Sequence, residues 1–126
     1  QLNYKTMYTI KNKIQLIGFL GNDPVVKRTD SGDKLVKFSI ATNETYRNSE
    51  GVKVKTTQWH NLIAWNKIAD IAEKYLQRGT EVAIEGKLLH RDYIDKDGNK
   101  RFVSEIQVSE MLLLGRNPAQ SSEVVQ

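Results

Sequence analysis

Thr56-Thr57-Gln58-Trp59-His60-Asn61-Leu62-Ile63-Ala64-Trp65 is the stretch whose reading decides the fold. As a strand it alternates its side chains: Trp59, Asn61, Ile63 and Trp65 point one way, and His60, Leu62 and Ala64 the other. The second set is small and aliphatic enough for a core. Both tryptophans of the chain therefore share the face turned away from it. Two readings account for them. In one, the strand is buried on both faces and the rings fill a second core layer or a subunit contact, since large aromatics are buried on average. In the other, the rings are a platform for unpaired bases, where alanine substitution costs roughly 1–3 kcal/mol per base whatever its identity.

Outward from that strand, the pattern fills in. Residues 34–45 alternate as a second long strand, with Val36, Phe38, Ile40 and Thr42 on one face and Leu35, Lys37, Ser39 and Ala41 on the other. The polar stretch 43–55 between them, with Gly51 near its tip, is too long for a tight hairpin and reads as a mobile finger. Upstream, residues 11–20 form a first strand in which Ile14, Leu16 and Gly18 alternate with Lys13, Gln15 and Ile17. A turn at 22–24, a short strand at 25–29 and a turn at 30–33 follow. Downstream, Ile68, Ile71, Ala72, Tyr75 and Leu76 carry the spacing of one buried helical stripe over 67–78. Asn66 is the expected N-cap and Gly79 the expected stop. Residues 80–93 are a strand, Asp97-Gly98 signals a hairpin turn, and 101–114 are the last strand.

One helix between the third and fourth of five strands is the layout of an all-β OB-fold, a partly open Greek-key barrel. The domain is expected over 10–114, with an N-terminal extension at 1–9 and a flexible C-terminal segment at 115–126. Met7 is a candidate natural start, which would make residues 1–6 an upstream remnant.

Composition bounds the function. The chain has 126 residues, enough for one domain, and its 39% hydrophobic and 27% charged residues match a soluble globular protein. Cysteine is absent, which excludes a disulfide scaffold, a zinc knuckle and a thiol nucleophile and permits a reducing compartment. No apolar run reaches membrane-spanning length and no secretory segment opens the chain, so no membrane partner is expected. The net charge of +4 suits a polyanion. Asp23, Asp30, Asp33, Glu50, Glu85, Asp95 and Asp97 fall mostly in turns, whereas metal-assisted phosphodiester cleavage needs converging carboxylates. No HExxH, Walker A or GxSxG pattern occurs. The expectation is a binding protein, not an enzyme, with no metal and no cofactor.

Single-strand binding needs aromatic planes spaced by cations. Tyr46 neighbours Arg47, with Lys53 and Lys55 following on the finger. Tyr93 lies one strand repeat from Arg91, with Lys87 behind it. Lys37 lies on the second strand, and Lys96, Lys100 and Arg101 on the second hairpin. These are the expected phosphate contacts. His60 is read as a hydrogen-bonded packing residue or a subunit contact, and His90 as a surface residue.

The motifs also carry a resemblance. Residues 12–24 (Asn12-Lys13-Ile14-Gln15-Leu16-Ile17-Gly18-Phe19-Leu20-Gly21-Asn22-Asp23-Pro24), Phe38-Ser39-Ile40-Ala41-Thr42, Thr57-Gln58-Trp59-His60, Tyr75-Leu76-Gln77-Arg78-Gly79 and Ile84-Glu85-Gly86-Lys87-Leu88 occur in order. Together they resemble the bacterial single-stranded DNA-binding protein family over about residues 12–110. The resemblance implies an OB barrel and a homotetramer that wraps single-stranded DNA without sequence preference. It also implies a role in replication, recombination and repair, in the cytoplasm at the nucleoid. By position it implies base stacking on Tyr46, Trp59, Trp65 and Tyr93, and a subunit interface at His60. The chain departs from the family in having tyrosine at 46 and 93 where tryptophan is common, and Trp65 where phenylalanine is. Asn61 and Leu89 replace basic residues. The family's acidic C-terminal tip, which recruits replication and repair proteins, has no counterpart in Ser121-Ser122-Glu123-Val124-Val125-Gln126, so a truncated tail is expected. The alternative is an OB-fold interaction subunit of a primosome-type assembly that binds DNA weakly. A sugar-binding OB domain fits the basic balance less well.

Overall fold

Alternating apolar side chains write the barrel wall. The computed structural model describes residues 11–116; the expected 1–9 extension and nearly all of the 115–126 segment lie outside the described residues. The elements run β1 (Ile14–Leu20), β2 (Val25–Arg28), β3 (Lys34–Arg47), β4 (Lys53–Trp65), α1 (Asn66–Tyr75), β5 (Thr80–Ile94) and β6 (Lys100–Arg116). Sheet neighbours follow the order β1-β5-β6-β4-β3-β2, and β1 also pairs with β3 through Phe19↔Ala41 and Leu20↔Ile40. That second pairing closes the five long strands into the expected OB barrel, leaving β2 as a ribbon on the edge of β3. Strands β4 and β6 meet in parallel through Leu62↔Ile106 and Ile63↔Gln107.

The inward parity of each strand supplies the core. Val36, Phe38 and Ile40 of β3 meet Leu62 and Ala64 of β4, Val82 and Ile84 of β5, and Ile106 and Val108 of β6. Each large aliphatic side chain so buried contributes about 1.5–3 kcal/mol. Ala69, Ala72 and Leu76 bring the helix onto the same cluster, with Ile68 packed against it, whereas Ile71 and Tyr75 of the expected stripe face solvent. The helix is rolled so that chiefly its small alanines meet the barrel.

The helix differs from its expected ends. It spans Asn66–Tyr75, its N-cap is Trp65, and no side chain caps it. Asn66 instead sits at φ 48°, a left-handed conformation that a short polar side chain tolerates. Its carboxamide accepts the Lys34 N–H at 3.0 Å and donates to Asp33 Oδ1 at 3.3 Å, tying the helix start to β3. Leu76 turns extended, so the stripe's last buried residue lies past the helix end. Gly79, at φ 90°, donates its N–H to the Leu20 carbonyl at 2.9 Å, making it a joint to the barrel and not a helix stop. Lys34 pairs with Asp70 at 2.8 Å and with Glu73, which holds the ammonium above and the Asp70 carboxyl below their ordinary ranges.

The expected mobile finger is an ordered hairpin. Strands β3 and β4 stay paired out to Arg47↔Lys53, leaving only residues 48–52 as a loop. The Asn48 side chain accepts the N–H groups of Glu50 at 2.9 Å and Val52 at 3.0 Å, and Gly51 takes φ 77°. The 95–99 loop between β5 and β6 repeats this design: Asp95 Oδ1 accepts from Asp97 and Asn99, both at 2.9 Å, with Gly98 at φ 81°. The first strand is also shorter than expected. Before Ile14, the Asn12 side chain takes the place of ladder backbone, bonding both the N–H and the C=O of Leu88.

Candidate nucleic-acid interface

The outward parity of β3 and β4 makes the wall on which the tryptophans stand. Register sets Ala41 opposite Trp59, Ser39 opposite Asn61, Lys37 opposite Ile63 and Leu35 opposite Trp65. The face opposite, with Leu62 and Ala64, is core as the alternation requires. Trp59 is 62% exposed, which removes the reading in which its ring fills a second core layer. Its ring lies over Gly21, where any Cβ would run into it. That floor is fixed: Gly21 N–H donates to the Ser39 carbonyl at 3.0 Å, and Asn22 Oδ1 accepts from the Ser39 N–H at 3.0 Å and hydroxyl at 2.7 Å. The indole is thus supported from beneath and open above. Trp65 is half-buried at the other end of the row, where β4 gives way to the helix.

The parallel β4–β6 contact extends this wall. It sets Glu105 of β6 beside Asn61, Lys37 and Ser39 around a shallow depression. Glu105 in turn meets Arg91, with Nε to Oε1 at 2.8 Å and Nη2 to Oε2 at 3.3 Å, while Lys37 Nζ approaches Oε2 at 3.9 Å. The Arg91 guanidinium beside Glu105 holds that carboxyl below the usual range despite its burial, and Lys37 adds to the effect. Arg91 also stands 5.7 Å from the centroid of the exposed Tyr93 ring, so the expected sharing of a face by Arg91 and Tyr93 holds. Lys87, on the same strand, lines a groove with Lys11 and Lys13.

Tyr46 stands apart. It follows the core parity of β3 opposite Val54, yet it is exposed because the β3–β4 ribbon outruns the barrel. Its ring therefore occupies the ribbon face opposite Trp59. Arg47, Lys53 and Lys55 share the Trp59 face, and Arg47 and Lys53 are direct cross-strand partners. Like charges so placed repel, and an anionic ligand relieves that repulsion. Arg47 also donates to the Gly51 carbonyl at 2.9 Å. On the second finger, Lys100 pairs with Asp92 at 3.2 Å and Arg101 with Asp95 at 2.7 Å, while Lys96 lies in the loop. Arg101 first, then backbone N–H groups, hold the Asp95 carboxyl below its ordinary range.

Two residues, one on the far face of the second finger and one in the wall, carried no site expectation from the sequence. Phe102 is 77% exposed, with Lys100 Nζ 5.6 Å from its ring centroid. By alternation it belongs to the core set of Ser104, Ile106 and Val108; only the overhang of the hairpin exposes it. Glu105 is the other. His60 is half-buried with Nε2 2.9 Å from Thr42 Oγ1, and the exposed His90 contacts Ser104 Oγ at 2.8 Å. Among the described residues, no three His, Asp or Glu side chains gather as a metal site, and no helix is long and apolar enough to cross a membrane.

Residues 11–114 match the model of the single-strand binding protein family. The single-stranded DNA-binding protein 1 of Chlorobaculum tepidum is 45% identical over 105 residues, covering 82% of this chain and 65% of the relative. The single-stranded DNA-binding protein of Neisseria meningitidis serogroup A is 42% identical over 104 residues, covering 82% and 60%. The chain thus spans about 60–65% of the length of these curated relatives. Among solved structures, a Plasmodium falciparum SSB complex with ssDNA superposes with a TM-score of 0.77 at 33% identity, covering 82% of this chain and 94% of that one. A deletion mutant of the single-stranded DNA binding protein from Thermus aquaticus superposes at 0.73 and 22% identity, covering 82% and 50%, a likeness of fold.

Proposed function

The chain belongs to the single-strand binding protein family, and from that premise we propose that its outer wall binds single-stranded DNA without reading sequence. The observation that carries this reading is Trp59: a large ring, 62% exposed, supported by Gly21, with Lys55 and Lys37 further along the same face. Such a ring stacks on any base. Trp65 and Tyr93 extend the platform along the wall, and Tyr46 serves a strand that passes around the finger. Lys37, Arg47, Lys53, Lys55, Lys87, Arg91, Lys96, Lys100 and Arg101 neutralise phosphates. The activity is binding and protection in replication, recombination and repair, at the nucleoid in the cytoplasm, and it makes or breaks no covalent bond.

The same reading makes the assembly a homotetramer, with His60 at a subunit contact. An exposed apolar row supports it: Ile17, Ala83 and Leu112 are register partners across three strands, and Ile17 and Leu112 face solvent.

Fluorescence anisotropy with a labelled oligo(dT) and a duplex of equal length tests the function. The expected result is preference for the single strand, with log K falling by about 0.7 for each phosphate neutralised per unit of log salt. Equal binding to the duplex, or assembly with no DNA binding, would favour a primosome-type interaction subunit.

A further inference from the structure

We propose that Glu105 is an internal counter-anion of the DNA wall, occupying Arg91 and Lys37 in the free protein and so limiting how many phosphates the wall exchanges for bulk counterions. The proposal rests on the reading of this wall as a single-strand binding surface. A carboxylate there opposes a polyanion, yet Glu105 is only 7% exposed and stands in its middle. It engages Arg91 by two parallel N–H···O bonds at 2.8 and 3.3 Å, the fork geometry with which guanidinium groups also take phosphate. It reaches Lys37 from the other side at 3.9 Å. Both cations remain open to a ligand, with side chains 48% and 35% exposed. The carboxylate itself is covered, so solvent does not hydrate it in their stead. The trio presents one net positive charge where the two cations alone would present two. DNA phosphates must then share or displace Glu105, which weakens binding at low salt and flattens its salt dependence. Arg91 is meanwhile parked beside the Tyr93 ring, at 5.7 Å.

The test is a set of oligo(dT) titrations of the whole chain across a range of salt. Glu105→Gln keeps the shape and an amide oxygen for Arg91 while removing the charge; Glu105→Thr is a second neutral variant suited to a strand. Thermal melts establish that each is folded. The expected result is a slope of log K against log salt steeper than wild type by about 0.7, the equivalent of one phosphate, with tighter binding at low salt. In an Arg91→Gln background, neutralising Glu105 should steepen the slope by no more than about one phosphate, that of Lys37. An unchanged or shallower slope in the folded neutral variants overturns the proposal and leaves Glu105 as a purely structural partner of Arg91. If wild type itself fails to bind the oligomer, the broader reading has failed instead.

Discussion

A single indole illustrates how residue-scale facts become function. Trp59 faces outward by strand parity, and Gly21 beneath it leaves room for the far edge of the ring. Trp59→Ala should weaken oligo(dT) binding by about 1–3 kcal/mol, roughly five- to 150-fold, with the melting temperature little changed. Tyr46→Ala should behave differently. Its ring is on the other face of the ribbon, so short oligomers should bind the variant like wild type while long ones lose affinity. Titrations with oligomers of two lengths separate these outcomes. The outward tryptophans were legible because alternation is local. Glu105 was not, because its meeting with Lys37 depends on the parallel β4–β6 contact, which no local pattern encodes. Its carboxyl lies below the ordinary range when folded, chiefly through Arg91. The pair's stabilisation is therefore complete above the unfolded carboxyl value and is lost as pH falls through the lower folded one. Acid melts of wild type and Glu105→Gln should show wild type losing more stability below about pH 4, where an unfolded glutamate gains its proton. Parallel acid limbs would contradict this.

Between residue and barrel stand the two fingers. The 43–55 stretch reads as a loop because most of its side chains are polar. They are polar because the ribbon extends past the core, where no side chain is buried, so the usual strand signal is missing. Its turn does leave a signature: Asn48 three residues before Gly51, like Asp95 before Gly98 and Thr29 before Gly32. In all three the glycine has positive φ and donates its N–H to the carbonyl of the first residue. Gly51→Ala places a Cβ in the left-handed region, at a cost of about 1–2 kcal/mol. Amide exchange in residues 44–56 should accelerate in that variant while the barrel core keeps its protection. Uniform exchange rates would mean the loop does not hold the finger. The helix was legible as an element, but not in its exact buried face, which takes in Ala69 and leaves Ile71 and Tyr75 exposed, nor in its ends, since Asn66 is drawn into bonds with Lys34 and Asp33 instead of capping.

At the scale of the whole molecule, the order of strands and helix was enough to name the barrel. What the order does not contain is closure, which comes from two residue pairs between β1 and β3. The outer surface then divides into a wall of rings and cations and an apolar row through Ile17, Ala83 and Leu112. If that row is a subunit contact, Leu112→Glu should lower the mass seen by light scattering from that of four chains, and an unchanged mass would exclude it. The central claim is that bases stack on the indoles of Trp59 and Trp65. Both tryptophans of the chain lie on the proposed wall, so its emission reports on that wall alone. Adding oligo(dT) to saturation at low salt should quench the emission strongly, with Trp59→Phe removing a large share of the signal. Saturation of the oligomer with no change in emission would contradict the account.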